Sequence, residues 1–275
     1  MAAEQPPERL GLIAGNGTYP LAMARAARKA GVKNIVAAAF ENETDPALAG
    51  LVDEIEWMRV GQLGRLIETF SRRGVAQAIM AGQIAPKNLF DLRPDLKALV
   101  TLARLKERNA ETLFGAIAAE LARAGTTLLP ATTFMEDHLA RPGPIAGPKL
   151  SQEEKEDVAF GFRIAKEVSR LDIGQTVVVK RGTVLAVEGF EGTNAALRRG
   201  GELGRGDAVA VKVSKPGQDL RFDVPVVGPA TLETAAEARL RVIAVEAGSS
   251  LILDLATVES LATRHRITLV GHPIP

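Results

Sequence analysis

The sequence predicts an α/β fold in two parts: a small doubly wound, Rossmann-like α/β domain over residues 1–140 and a mixed α+β domain over residues 141–275. Three observations carry that prediction. Short apolar runs at residues 10–14, 34–39 and 77–80 alternate with amphipathic segments that end in glycine, the order of right-handed βαβ units. The run Arg141-Pro-Gly-Pro-Ile-Ala-Gly-Pro148 is too rich in proline and glycine to continue an element, so it reads as a linker. Beyond it, β-branched runs at 176–180 and 183–188 flank Arg181-Gly182, the pattern of a β-hairpin. A chain of 275 residues lies near the length at which single cores stop growing, which suits two domains.

Taken in order, residues 1–8 read as a disordered lead, and Glu4, Pro6, Pro7 and Glu8 stand where a signal peptide has its basic and apolar regions. Residues 10–14 form a strand that enters Gly15-Asn-Gly-Thr-Tyr-Pro20, and an alanine-rich helix over 20–30 stops at Gly31. The second strand is 34–39. After a loop holding Glu41, Glu43, Asp45 and Pro46 come a strand at 54–60, a helix at 61–74 and a buried strand at 77–80 that ends on Ala81-Gly82-Gln83. Residues 88–95 cap a helix that runs to about 106, residues 110–125 form the next helix, and 126–129 a strand. Lys87, Arg93 and Arg104 read as solvated helix surface.

In the second part Ser151-Gln-Glu-Glu154 has the spacing of a capping box and opens a helix to 171. After the hairpin, Gly189-Phe-Glu-Gly-Thr-Asn194 leads into a helix that Thr193 or Asn194 can cap. Residues 207–213 alternate Val209, Val211 and Val213 against Ala208, Ala210 and Lys212, the period of a half-buried strand. A helix at 231–238, strands at 242–246 and 251–253, a helix at 257–265 and a strand at 267–270 complete the chain.

Composition excludes several functions. Hydrophobic residues make up 46% and charged residues 24%, while the net charge of +1 gives no global attraction to nucleic acid or anionic membrane. There are no cysteines, hence no disulfides, thiolate zinc sites or cysteine nucleophiles, and a cytoplasmic location is compatible. His138, His265 and His272 are widely spaced and do not form a metal-binding pair, so any metal is expected to be a hard cation on oxygen ligands, Mg²⁺ or Mn²⁺.

Two stretches carry candidate chemistry. The turn Gly15-Asn16-Gly17 offers backbone N–H groups and a helix N-terminus to an anionic oxygen or a sugar hydroxyl. A dinucleotide fingerprint would need glycine at position 20, where Pro20 stands, which argues against a nicotinamide enzyme. Gly82 and Gln83, at the end of their own strand, would share the carboxyl rim of the sheet with that turn. The densest polar stretch runs from Lys212 to Gly228. Pro216 and Gly217 turn the chain sharply while Ser214, Lys215, Gln218 and Asp219 project polar atoms, and Arg221 and Asp223 flank Phe222 on an extended segment. Lys215, and after it Arg221, suits a phosphate; Asp223 and Glu191 suit a metal or an attacking water, with Glu188 as a further carboxylate. On chemistry alone a hairpin loop with a surface Lys/Arg–Asp pair fits this stretch equally well.

This stretch, with Leu171-Asp-Ile-Gly-Gln175 and Glu191-Gly-Thr-Asn194, closely resembles the LpxI-type UDP-2,3-diacylglucosamine pyrophosphatases of lipid A biosynthesis, over about residues 10 to 271. The family's Gly-Asn or Gly-Gly turn and its Ala-Gly step are also matched, at Gly15-Asn16 and Ala81-Gly82. The resemblance implies metal-dependent cleavage of UDP-2,3-diacylglucosamine to UMP and 2,3-diacylglucosamine 1-phosphate. It implies a functional aspartate at Asp223; with the chemistry of the residues themselves, the expected roles are catalysis by Asp223 and Lys215, substrate contacts at Gly15, Asn16, Gly17, Gly82, Gln83, Thr193, Gln218 and Arg221, and metal ligation by Asp223, Glu191, Glu188 and Asn194. Asn194 stands where the family has an aspartate, and Arg108-Asn-Ala-Glu111 where relatives often show Gly-Asp-Asp. These two departures keep open a non-catalytic nucleotide- or lipid-sugar-binding protein of the same fold; a phosphohydrolase for another nucleotide-sugar is a third reading. The acylated substrate implies an apolar pocket, expected between the domains, and transient contact with the inner face of the inner membrane; no nucleic-acid partner is expected, and a homodimer is left open.

Overall fold

The computed structural model describes residues 5–84, 94–105, 110–217, 219–222 and 224–273. Gln218, Asp223, Lys87, Arg93 and the 106–109 run therefore lie outside the described residues. The chain divides into two compact units, Met1–Glu136 with Asp219–Asp223, and Asp137–Gln218 with Val224–Pro275.

The first unit is built on β1 (Arg9–Ala14), α1 (Tyr19–Lys29), β2 (Asn34–Phe40), β3 (Glu54–Met58), α2 (Leu63–Arg72), β4 (Gln77–Ala81), α3 (Leu96–Ala103), α4 (Ala110–Arg123) and β5 (Thr127–Leu128). Its strands form one parallel sheet in the order β3-β2-β1-β4-β5. The near-continuous apolar runs of β1 and β2 reflect burial on both faces, as a parallel sheet covered by helices requires. Ile13, Val36, Ala38 and Ala78 pack with Leu66 and Phe70 of α2 and Leu121 of α4. The intervening Leu12, Ala37 and Ile79 are equally buried and by strand alternation face the other side, where α1 packs on β1 and β4. Full burial of a side chain such as Phe70 contributes roughly 1.5–3 kcal/mol.

The second unit contains β6 (Gly143–Ala146), α5 (Gln152–Arg170), β7 (Thr176–Lys180), β8 (Thr183–Val187), α6 (Thr193–Gly204), β9 (Val209–Lys212), β10 (Val226–Val227), α7 (Pro229–Glu237), β11 (Val242–Glu246), β12 (Leu251–Ile252), α8 (Leu255–His265) and β13 (Thr268–His272). A six-stranded mixed sheet runs β6-β13-β11-β9-β7-β8; β9, β11 and β13 are parallel, and the strands toward both edges are antiparallel. Short β10 and β12 pair separately and in parallel. Val158, Phe162 and Ala165 of α5 cover one face together with Val209 and Val211. Leu197 of α6, Leu232 of α7 and Val258 of α8 cover the other, with Ala208 and Ala210. Helix α6 lies close on its strand because Gly200 has no side chain: a Cβ there would stand 2.4 Å from Cβ of Val178.

The capping box opens α5 as the spacing predicts, with Glu154 N–H donating to Ser151 Oγ at 3.2 Å and Ser151 N–H donating to Glu154 Oε2 at 2.6 Å. Two expectations are corrected. The proline- and glycine-rich stretch after Arg141 contains β6, an antiparallel edge partner of β13. Pro144 is tolerated there because an edge strand can leave one side of its ladder unpaired. Strand β9 is buried throughout rather than half-buried, since helices cover both faces of this sheet.

Candidate active site

In the first unit the loops that leave β1 and β4 are laced together by main-chain bonds. Gly15 N–H donates to Ala81 O at 2.8 Å, Asn16 N–H to Gln83 O at 2.6 Å and Gln83 N–H to Asn16 O at 3.3 Å. The expected neighbours Gly15, Asn16, Gly82 and Gln83 thus share the carboxyl rim of the first sheet. The contact demands glycine: a Cβ on Gly82, whose φ is +90°, would lie 2.6 Å from Asn16 O, and one on Gly15 would lie 2.5 Å from Gln83 O. Gly17 also has φ +90°, but its Cβ would meet open space. Asn16, itself exposed, donates through Nδ2 to the buried Glu43 at 3.3 Å.

In the second unit ionised side chains gather at the same end of the sheet. Lys212 ends β9 on the face that Ala208 and Ala210 occupy, and is only 8% exposed. Its Nζ donates to Thr193 Oγ1 at 2.8 Å, and that hydroxyl donates to Glu188 Oε1 at 2.7 Å. A chain of lysine, threonine and glutamate therefore joins the end of β9, the first turn of α6 and the residue after β8. Glu188 is 9% exposed, and its Oε2 is buried without a hydrogen-bond partner; so is Oγ1 of Thr176, the cross-strand neighbour of Lys212. Unsatisfied buried acceptors beside a buried cation mark a place where a ligand, an ion or water belongs.

A second buried group fixes the loop that follows β9. Glu246, 2% exposed at the end of β11, accepts from Ser214 N–H and Ser214 Oγ at 2.8 Å each and from Lys166 Nζ at 2.9 Å. Lys166 Nζ also donates to Ser214 O at 2.9 Å. The backbone that presents Lys215 is thereby held to α5 and β11 through one carboxylate.

The other expected residues are engaged locally. Glu191 accepts from Gly189 N–H at 3.0 Å and from Arg199 Nη2 at 2.5 Å. Its own backbone N–H, then Arg199 and the Gly189 N–H, hold its carboxyl below the usual glutamate range. Lys215 pairs with Asp172. Arg221 grips Asp219 through Nε at 2.9 Å and Nη2 at 2.5 Å, and that pairing keeps the Asp219 carboxyl below the ordinary aspartate range. Asn194 is exposed in the first turn of α6. Asp223 and Gln218 lie outside the described residues. Thus Glu188 meets Thr193, while Glu191, Lys215 and Arg221 each have partners of their own.

Among the described residues no three His, Asp or Glu side chains gather as a metal shell would need. The unpaired Glu188 Oε2 is a described oxygen whose chemistry fits a hard cation, and it would need further ligands. Sequence reasoning missed Lys212, Lys166 and Glu246 as site residues. The signal was present: each of Lys212 and Glu246 is a charged residue that terminates a buried apolar strand at its carboxyl end, where α/β proteins place ligands.

Comparison with known proteins covers both units. The LpxI N-terminal domain family matches residues 9–138 and the LpxI C-terminal domain family residues 141–270. A Caulobacter vibrioides protein named UDP-2,3-diacylglucosamine pyrophosphatase LpxI is 31% identical over 274 residues, covering 96% of this chain and 97% of that protein. Among solved structures, the biotin carboxylase domain of Hydrogenobacter thermophilus 2-oxoglutarate carboxylase matches at a TM-score of 0.29 and 16% identity, over 66% of this chain and 36% of that one. The biotin carboxylase subunit of a pyruvate carboxylase matches at 0.27 and 16%, over 65% and 35%. The chain spans only about a third of those two structures, and scores this low say nothing of its fold or ligand.

Proposed function

The chain belongs to the LpxI family, and from that premise we propose that it hydrolyses the pyrophosphate bond of UDP-2,3-diacylglucosamine to UMP and 2,3-diacylglucosamine 1-phosphate in lipid A biosynthesis. The observation that carries this reading is the 31% identity with the Caulobacter vibrioides pyrophosphatase over nearly the full length of both chains. The strand order β3-β2-β1-β4-β5 supports reading the first unit as doubly wound and Rossmann-like, with ligand at the carboxyl rim.

Hydrolysis places a water oxygen on one phosphorus and expels the other phosphate as leaving group, so the site must offset negative charge and orient water. Lys212 supplies a buried positive charge for a phosphoryl oxygen, and through Thr193 it orients Glu188. Glu188 Oε2 then accepts a proton from, or a hydrogen bond of, the incoming water. Lys215 and Arg221 would exchange Asp172 and Asp219 for phosphate oxygens when substrate arrives, one charge-assisted partner for another. Mg²⁺ or Mn²⁺ on Glu188, with Asp223, Glu191 and Asn194 as the other candidate ligands, would supply Lewis-acid neutralisation of the phosphates. The exposed Leu96, Leu99 and Val100 of α3, 78%, 50% and 42% exposed, support transient contact with the inner face of the inner membrane, where the lipid resides. Among the described residues no helix is long and apolar enough to cross a membrane.

The test is UMP release from UDP-2,3-diacylglucosamine, with and without Mg²⁺ or Mn²⁺, beside UDP-N-acetylglucosamine as the unacylated control. Metal-dependent release from the acylated substrate alone is expected, and Asp223→Ala should remove most of it. Release from neither substrate would overturn the reading in favour of a binding protein.

A further inference from the structure

Beneath the rim of the first sheet lies a cavity of about 120 Å³, and the described residues that wall it belong to the first unit. Ile13, Phe40 and Met80 close it on the sheet side at the carboxyl ends of β1, β2 and β4, and Leu66, Leu102 and Phe114 close it from α2, α3 and α4. Ile13 precedes Gly15 by two residues and Ile84 follows Gln83 directly, so the cavity adjoins the loops where a sugar could dock. This is a different place from the interdomain pocket expected from the sequence.

Among the described residues the lining has no charged side chain. Its two polar side chains are already bonded to backbone: Gln62 Oε1 accepts from Arg59 N–H at 2.8 Å, and the Thr101 hydroxyl donates to Lys97 O at 2.9 Å. Water entering such a space finds too few partners, whereas an apolar group fills it without loss. The volume decides how much enters. It is close to the engineered cavity of ~150 Å³ that stays dry and binds benzene, so it takes roughly six carbons, the end of one hydrocarbon chain. One wall continues to Phe222, whose ring lies 5.7 Å, centroid to centroid, from that of Phe114.

We infer that this cavity receives the distal carbons of one acyl chain of the lipid substrate and thereby selects its length. The inference rests on the reading of the protein as a lipid-sugar pyrophosphatase. Each methylene seated there contributes about fourfold in affinity. Helix α3 forms the wall with Ala98, Thr101 and Leu102. A bulkier residue at Ala98 shortens the chain the cavity accepts.

The experiment uses the full chain and two probes, a dansyl-labelled long-chain fatty acid for direct binding and UDP-diacylglucosamines of short and long acyl length for turnover. Ala98→Leu should weaken the fatty-acid probe about tenfold or more and raise KM for the long-chain substrate by a similar factor, with kcat and the short-chain KM unchanged. Phe114→Ala should do the opposite and shift preference to longer chains, which keeps the inference testable if Ala98→Leu fails to fold. Probe affinity and chain-length preference unchanged in both variants, at wild-type melting temperature, would overturn the inference while hydrolysis by the wild type left the pyrophosphatase reading standing. Probe binding that Ala98→Leu abolishes, in a protein that hydrolyses neither substrate, would support the cavity as an acyl site and overturn the pyrophosphatase reading instead.

Discussion

At the carboxyl end of the first sheet the chain presents mainly glycine backbone and apolar side chains, with Glu43 as a buried carboxylate, whereas at the corresponding end of the second it buries Lys212, Glu188 and Glu246 and half-buries Lys166. The two rims differ in how much charge they take out of water. Close backbone contact at Gly15 and Gly82 needs no charge and is limited by shape. Buried ions are stable only while every partner stays in place, because each has been removed from water. The first rim is thus suited to the neutral parts of a ligand and the second to its phosphates, and substitutions should act through shape in one and through charge in the other.

The largest effect is expected where a buried charge loses its partner. Glu246→Ala leaves the half-buried Lys166 with Ser214 O alone and the Ser214 N–H and hydroxyl without their acceptor, and urea unfolding should show a loss of about 3 kcal/mol. Pairing it with Lys166→Met should recover much of that loss, since an absent pair costs less than a broken one. A single-variant loss under about 1 kcal/mol would remove the contrast between the rims.

Next comes the backbone rim. Gly82→Ala meets both a positive φ and the carbonyl of Asn16, so it should cost about 2–3 kcal/mol and slow UMP release. Gly17→Ala shares the φ but meets open space, and should cost about 1 kcal/mol. Equal melting temperatures for the two variants would show that close approach is not what Gly82 provides.

Thr193→Val keeps the volume but severs Lys212 from Glu188, at a cost of about 1–3 kcal/mol, with kcat falling more than stability. Thr193→Ser should restore turnover. If serine fails where valine fails, the hydroxyl is not the link.

The smallest effect belongs to the partly exposed Asp219–Arg221 pair. Asp219→Asn should cost about 1 kcal/mol or less at neutral pH. The folded pKa of Asp219 lies below its unfolded value of about 3.9, so the pair stabilises fully above that value and its contribution is lost as pH falls through the folded one. Wild type and variant should therefore converge in stability under acid; a difference that persists there would assign the effect to something other than the charge.

Local signals made much of the fold legible. The strand, glycine turn and helix at the start of the chain, the capping box before α5 and the β7–β8 hairpin are each set by residues within a few positions of one another. Strand β6 was hidden because proline and glycine read as linker until a neighbouring strand supplies the ladder. The candidate site was legible in parts: Glu188, Thr193, Gly15 and Gly82 were marked, but Lys212 and Glu246 passed as strand ends, and the expected cations Lys215 and Arg221 are held by carboxylates of their own.

By itself the sequence determined the periodicity, turns and caps, and through its motifs the family, since these depend on neighbours along the chain. Tertiary structure alone decided which charged residues are buried and which share a hydrogen bond. Lys212, Thr193 and Glu188 meet only because β9, α6 and the end of β8 pack together, and the sequence between Thr193 and Lys212, which stand 19 positions apart, carries no trace of that contact. Burial is a property of what covers a residue, and the helices that cover this sheet come from distant parts of the chain.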